Sequence, residues 1–222
     1  MPKGTGQQPK RRLPLTRDRI VQAAIALADE QGIEAISMRK LGRTLGVEAM
    51  SLYNHVADKD DLLDGMADRV TAEFDAPAGL GPWRDEIRRS AISAHAALLR
   101  HPWAGAVLES RTHPGPARLR YLDEVVGVLR RAGFRPLTIA RALTALDSHT
   151  YGFALQESAW PITTAEWPEA AATARVAFEG DYPNLMAMAE MAMAVPGEQL
   201  LDFEFGLDII LDGLERLLPL EP

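Results

Sequence analysis

The stretch "SMRKLGRTLGVEAMSLYNHVADKDD", residues 37–61, constrains the fold more than any other part of the chain. Ser37 is a good N-cap, and Met38, Leu41 and Leu45 then recur on one helical face. Gly46 ends that helix after barely two turns, since glycine enters the left-handed conformation of a helix end without steric penalty. A third helix is predicted from Glu48 to about His55. Asp58 caps a fourth, with Leu62, Leu63, Met66, Ala67 and Val70 as its stripe. Upstream, Thr16 caps a first helix carrying Ile20, Val21, Ala24, Leu27 and Ala28 on one side, and Gly32 stops it. Short helices with a glycine turn between the second and third form a helix-turn-helix.

On a wheel of about 100° per residue with Leu52 inward, Val56, Glu48, Ala49 and His55 fall on the core side. Met50 and Asn54 point away, flanked by Ser51 and Tyr53. This is no ordinary charged solvent face, and it suits a major groove. Asn pairs with adenine and Met packs on a thymine methyl. Ser and Tyr hydroxyls take phosphates. Arg39, early in the second helix, is placed for a guanine edge or a phosphate. Lys59 sits at the start of the fourth helix, where free N–H groups also favour phosphate. For His55, on the shoulder, packing on a neighbouring helix is a serious rival reading.

The rest of the chain is helical in pattern. "DAPAGLGP" at 75–82 is a break rich in Gly, Pro and Ala. Helices are predicted over Trp83–Arg100, Arg118–Ala132, Leu137–Glu157, Ala170–Phe178, Tyr182–Ala194 and about Glu198–Leu218, with a loop over Pro161–Pro168. No segment alternates as a strand does, so the class is all-α. Residues 1–14 read as a disordered basic tail, 15–74 as the helix-turn-helix with its linking helix, and 82–222 as a helical domain.

Charge divides along the same line. Residues 1–55 hold nine Lys/Arg against five Asp/Glu, and the remainder holds fifteen against twenty-six. Only the head is expected to meet an anionic partner, and a net charge of -7 argues against nonspecific DNA packaging. The chain has no cysteine, which excludes a disulfide scaffold and a thiolate metal site. It has no apolar run of membrane length and no signal-peptide pattern, so no membrane partner and a cytoplasmic location are expected. The histidines lack metal-ligand spacing, and neither a nucleophile elbow nor a phosphate loop occurs. No cofactor, structural metal or enzymatic activity is expected.

"AISMRKLGRTLGVEAMSLYNHVADKDDLLDGMADRV" resembles the DNA-binding head of the tetracycline repressor (TetR) family, through "RKL", "LGV", "LY-x-H" and the helix starting near a Lys. "RRAGF" at 130–134, "TYGFAL" at 150–155 and "FEFGLDIILDGLERL" at 203–217 resemble the tetracycline repressor's own branch. The resemblance implies a homodimer reading a palindromic operator in double-stranded DNA. It also implies a C-terminal body that binds a small effector and dimerises. By position it implies DNA contacts at Arg39, Ala49, Met50, Ser51, Tyr53, Asn54, His55 and Lys59. Ala49 and Met50 replace a polar-then-proline pair and Asn54 a tryptophan, so a different operator is expected. A ligand-responsive repressor is the leading reading, with an activator of the same family, or an enzyme using the helical body, as the alternatives.

The last helix carries Leu200, Phe203, Leu207, Ile210, Leu211, Leu214, Leu217 and Leu218 on a near-heptad seam widened by Phe205 and Ile209. Leu137–Glu157 is similarly two-sided, with Leu143, Leu146, Tyr151, Ala154 and Leu155. With the resemblance, Leu143, Leu146, Tyr151, Ala154, Phe203, Leu207, Ile210, Leu211 and Leu214 are assigned to a dimer interface. Glu109 and Gln156 stand where the tetracycline repressor holds its magnesium–drug complex with a His and a Glu. Its drug-binding polar positions fall on Asp75, Ser90 and Val125, so that site is expected to be absent. The remaining effector candidates are Ser90, Ala94, Leu98, Trp103, Val125, Leu129, His149, Phe153 and Gln156, a mostly apolar set that leads us to expect release by a small, largely apolar effector with few hydrogen bonds. The methionines at 186, 188, 191 and 193 read as core filling.

Overall fold

The computed structural model describes residues 14–160, 166–178, 182–193 and 201–218. Residues 1–13 of the predicted tail, part of the 161–168 loop and Leu200 lie outside the described residues. Among those described, every regular element is helical: α1 Arg17–Gln31, α2 Met38–Leu45, α3 Ala49–Leu52, α4 Lys59–Thr71, α5 Trp83–Arg100, α6 Ala104–Ser110, α7 Pro116–Arg131, α8 Pro136–Ser158, α9 Trp167–Phe178, α10 Pro183–Met193 and α11 Phe203–Glu215. The chain forms two compact units, Met1–Met66 and Ala67–Pro222, dividing within α4.

In the first unit the caps lie where the side-chain chemistry puts them. Thr16 accepts from the Arg19 N–H, and Ser37 from the Lys40 N–H. Gly32 and Gly46 close their helices at positive φ. Ile20, Ala24, Leu41, Leu52 and Leu62 are fully buried together as the unit's core. α3 is shorter than predicted. Its start has no side-chain cap, and Tyr53–His55 form a turn in which the His55 and Val56 N–H groups both donate to the Leu52 carbonyl. That turn brings Val56 into the core.

In the second unit α5, α7, α8 and α11 enclose a core that includes Ile87, Val128, Leu129 and Leu207. α11 lies along α5 through an ion ladder: Arg84 meets Asp212 at 2.6 Å, and Arg88 meets Asp208 at 3.0 Å and Glu204 at 2.5 Å. These pairs are half-exposed, so they set register more than stability. α11 also approaches α8 closely at Gly206, where a Cβ atom would lie 2.5 Å from the His149 ring. α6 was not predicted. It is short and holds Gly105 among alanines, and it forms by burying Ala104, Val107 and Leu108, with α8 as a packing partner.

The seam assigned to the dimer interface needs correction. Phe203, Leu207, Leu211 and Leu214 are buried in the chain's own core, and Ile210 packs against it. Leu143, Leu146 and Tyr151 line an internal cavity, and Ala154 is buried beside it. The apolar side chains left outward on α11 are Phe205 and Ile209, 66% and 57% exposed. A helix apolar on two sides offers two stripes. The packing angle against α5 and α8 decides which one is inside.

Candidate functional site

The first candidate surface is built around α3. The Gly46 N–H donates to the Arg43 carbonyl and the Val47 N–H to the Gly42 carbonyl, which turns the chain sharply from α2 into α3. The two helices pack so closely that a Cβ atom on Gly42 would meet the Val47 carbonyl oxygen at 2.9 Å and the Ala49 nitrogen at 3.2 Å. The far end of α3 is locked by Arg17. Its guanidinium forks onto both Asp61 carboxylate oxygens at 2.6 Å and also reaches the Asp61 and His55 carbonyls, at 3.1 and 3.4 Å. Asp61 accepts the Ala57 N–H as well, and its own N–H donates to Asp58. The bonds from Arg17 hold the Asp61 carboxyl below the usual carboxylate range.

This frame turns Leu52 and Val56 inward and leaves Met50, Tyr53 and Asn54 exposed, Met50 by 74%. Arg39 and Lys59 are exposed too, and Ala49, Ser51 and His55 are half-buried. The Arg17–Asp61 lock is missing from the sequence reading, because its partners are 44 residues apart and no local period links them.

The second candidate is a cavity between α5, α7 and α8. It is narrow, about 20 Å³, and is lined by Phe74, Ser90, Ala94, Tyr121, Val125, Asp147, Thr150 and Tyr151, among others. The Ser90 hydroxyl donates to the Tyr121 oxygen at 3.1 Å. Burial pushes the Tyr121 hydroxyl up to about 12, raises that of Tyr151, and pushes the Asp147 carboxyl up to about 6. Tyr151 also faces a surface groove of about 330 Å³, lined by Leu98, Pro102, Ala106, Glu109, Gly152 and Leu155 among others.

The predicted effector residues separate. Ser90, Ala94 and Val125 line the cavity and Leu98 the groove. Leu129 is core and fully buried, and Trp103 is buried beside His101. His149 and Phe153 pack on Phe203. Its ring lies between those of His95 and His149, with centroids 4.0 and 4.9 Å away and nearly parallel planes. The His149 Nε2–H donates to the Phe203 carbonyl, and the His95 Nε2–H to Glu157. Gln156 faces outward, and Asp75 pairs with Arg89 at 2.9 Å. Tyr121, Asp147 and Thr150 were missed as lining residues. One signal for Asp147 was present: it is the lone Asp, Glu, Lys or Arg in "LTALDSHTYGFAL".

Comparison with known proteins bears on both sites. Residues 20–66 match the family described as "Bacterial regulatory proteins, tetR family". Residues 77–218 match "Tetracyclin repressor-like, C-terminal domain". The HTH-type transcriptional repressor DrrR1 of Streptomyces coeruleorubidus is 35% identical, over 96% of this chain and 83% of that protein. The class D tetracycline repressor protein of Escherichia coli is 30% identical, over 92% and 88%. Among solved structures, the Streptomyces coelicolor TetR family protein ActR in complex with actinorhodin superposes with a TM-score of 0.78. It is 29% identical, over 92% of this chain and 98% of that one.

Proposed function

The chain belongs to the tetR family of bacterial regulatory proteins, and from that premise we propose that it is a ligand-responsive transcriptional repressor acting as a homodimer on a palindromic operator. Its work is binding, not catalysis. The observation that carries this is the outward face of α3, where Met50, Tyr53 and Asn54 are exposed on a helix locked at one end by the Gly42–Gly46 turn and at the other by Arg17. Asn54 and Met50 suit base edges, and Ser51, Tyr53, Arg39 and Lys59 suit phosphates. His55 supports the turn through its carbonyl, and Ala49 lets the helix approach the groove.

The effector enters the space between α5, α7 and α8. α4 is one continuous helix reaching back to the head, and its Asp68 accepts the Ala117 and Arg118 N–H groups at the start of α7. A ligand between α5, α7 and α8 therefore bears on the anchor of α4. It releases the operator to the extent that it prefers the form that does not bind DNA. The dimer face is the exposed apolar side of α11 that carries Phe205 and Ile209.

The test is selection of bound fragments from genomic DNA of the source organism by the purified chain. A recovered short palindrome, bound about tenfold more weakly by Tyr53→Ala with the dimer intact, is the expected result. No enrichment at low salt, or unchanged affinity of the variant, would overturn the assignment of α3.

A further inference from the structure

The inner cavity is lined by apolar side chains except for Ser90, Tyr121, Asp147, Thr150 and Tyr151. Ser90 and Tyr121 satisfy each other. Asp147 makes no hydrogen bond through its carboxylate among the described residues. A carboxylate in such a place is costly unless a cation or donors meet it. The charged and titratable groups that face it are few. Arg118 of α7 is the one cation, and its Nη1 donates to the Leu108 carbonyl at 2.5 Å. Glu109 of α6 adds negative potential, and Tyr121 of α7 and Tyr151 of α8 are neutral near physiological pH. α5 contributes to the lining only uncharged residues. The unanswered charge in the cavity is thus negative.

On the reading that this cavity and groove hold the effector, we propose that the effector is an amphipathic organic cation, with its ammonium group against Asp147 and its apolar body in the groove beyond Tyr151. The inner chamber is narrow and suits a group the size of an ammonium. The groove is larger and offers Leu98, Pro102, Ala106 and Leu155 to an aromatic or aliphatic body. Glu109 stands in the groove wall and repels an anionic ligand while attracting a cationic one. Burial outweighs Arg118 at Asp147, so its carboxyl titrates at about 6. The site is anionic at neutral pH and loses that charge in mild acid.

The test uses one naphthalene body with three head groups: 2-(1-naphthyl)ethylamine, 2-(1-naphthyl)ethanol and 1-naphthylacetate. Each is titrated by calorimetry into the full chain, into Asp147→Asn and into Gly152→Trp. A side chain at Gly152 starts in open space and fills the groove. A melting curve for each variant establishes that it is folded. At about pH 7.5 the amine binds the unmodified chain about tenfold more tightly than the alcohol, as one charge-assisted hydrogen bond supports, and the acetate binds least. The preference disappears in Asp147→Asn, and in the unmodified chain it shrinks as the pH falls below about 6. Equal binding of all three, blocked by Gly152→Trp, would overturn the cation while leaving the effector site standing. An amine preference untouched by Asp147→Asn would overturn the role of Asp147. No binding of any of the three would overturn both the cation and the site.

Discussion

Asp147 shows how a single residue couples stability to pH. Its folded-state pKa of about 6 lies above its ordinary 3.8. The folded state therefore holds a proton that the unfolded chain has released, across the window from about pH 4 to about pH 6. Stability from this group is fully present below that window and is lost as the pH rises through it. Asp147→Asn removes the penalty. The expected outcome is a variant more stable than the parent at pH 7.5 by on the order of 2 kcal/mol, allowing for partial solvation, with the gain absent near pH 4. Urea titrations at the two pH values check it, and an equal change at both would contradict the assignment. At this scale the sequence was informative where chemistry is local. Met50, Tyr53 and Asn54 face outward because the helical period alone puts them opposite Leu52. Leu129 and Gln156 were beyond its reach, because a position on one helix does not say how deep the neighbouring helix lies.

Among the elements, the α2–turn–α3 unit carries most of the recognition geometry. Gly42 permits the close approach and Gly46 supplies the left-handed turn, at φ 69° and ψ 34°. Gly42→Ala puts a methyl group against backbone atoms that have no room to give. It is expected to lower stability by about 1–3 kcal/mol, as overpacking does, and to weaken operator binding beyond that loss by tilting α3. Affinity measured well below the melting temperature separates the two effects, and an unchanged operator affinity would show that the packing tolerates the methyl. The caps at Thr16, Ser37 and Asp58 were legible because each bonds within its own turn. α6 was not, because its short sequence becomes helical only against the rest of the body.

For the molecule as a whole, the decisive question is which side of α11 meets a second chain. Ile209→Glu is expected to give a folded monomer, since the position is 57% exposed and a surface change has little effect on the fold. Leu207→Ala, fully buried, is expected to destabilise the chain itself by about 2–5 kcal/mol. Sedimentation and thermal melts of the pair check this, and a dimeric Ile209→Glu would move the interface elsewhere. The sequence by itself determined the all-α class, the start of each head helix, the glycine turn and the outward face of α3. Those rest on contacts within a few residues, where 3.6-residue periodicity and capping chemistry are sufficient. Tertiary structure alone decided that Leu207 and Leu211 lie inside while Phe205 and Ile209 lie outside, that Arg17 reaches Asp61, and that Asp147 stands unpaired beside Tyr121. The physical reason is common to all three. Each depends on the distance and angle between helices far apart in sequence, and burial, not the local pattern, sets the energy there.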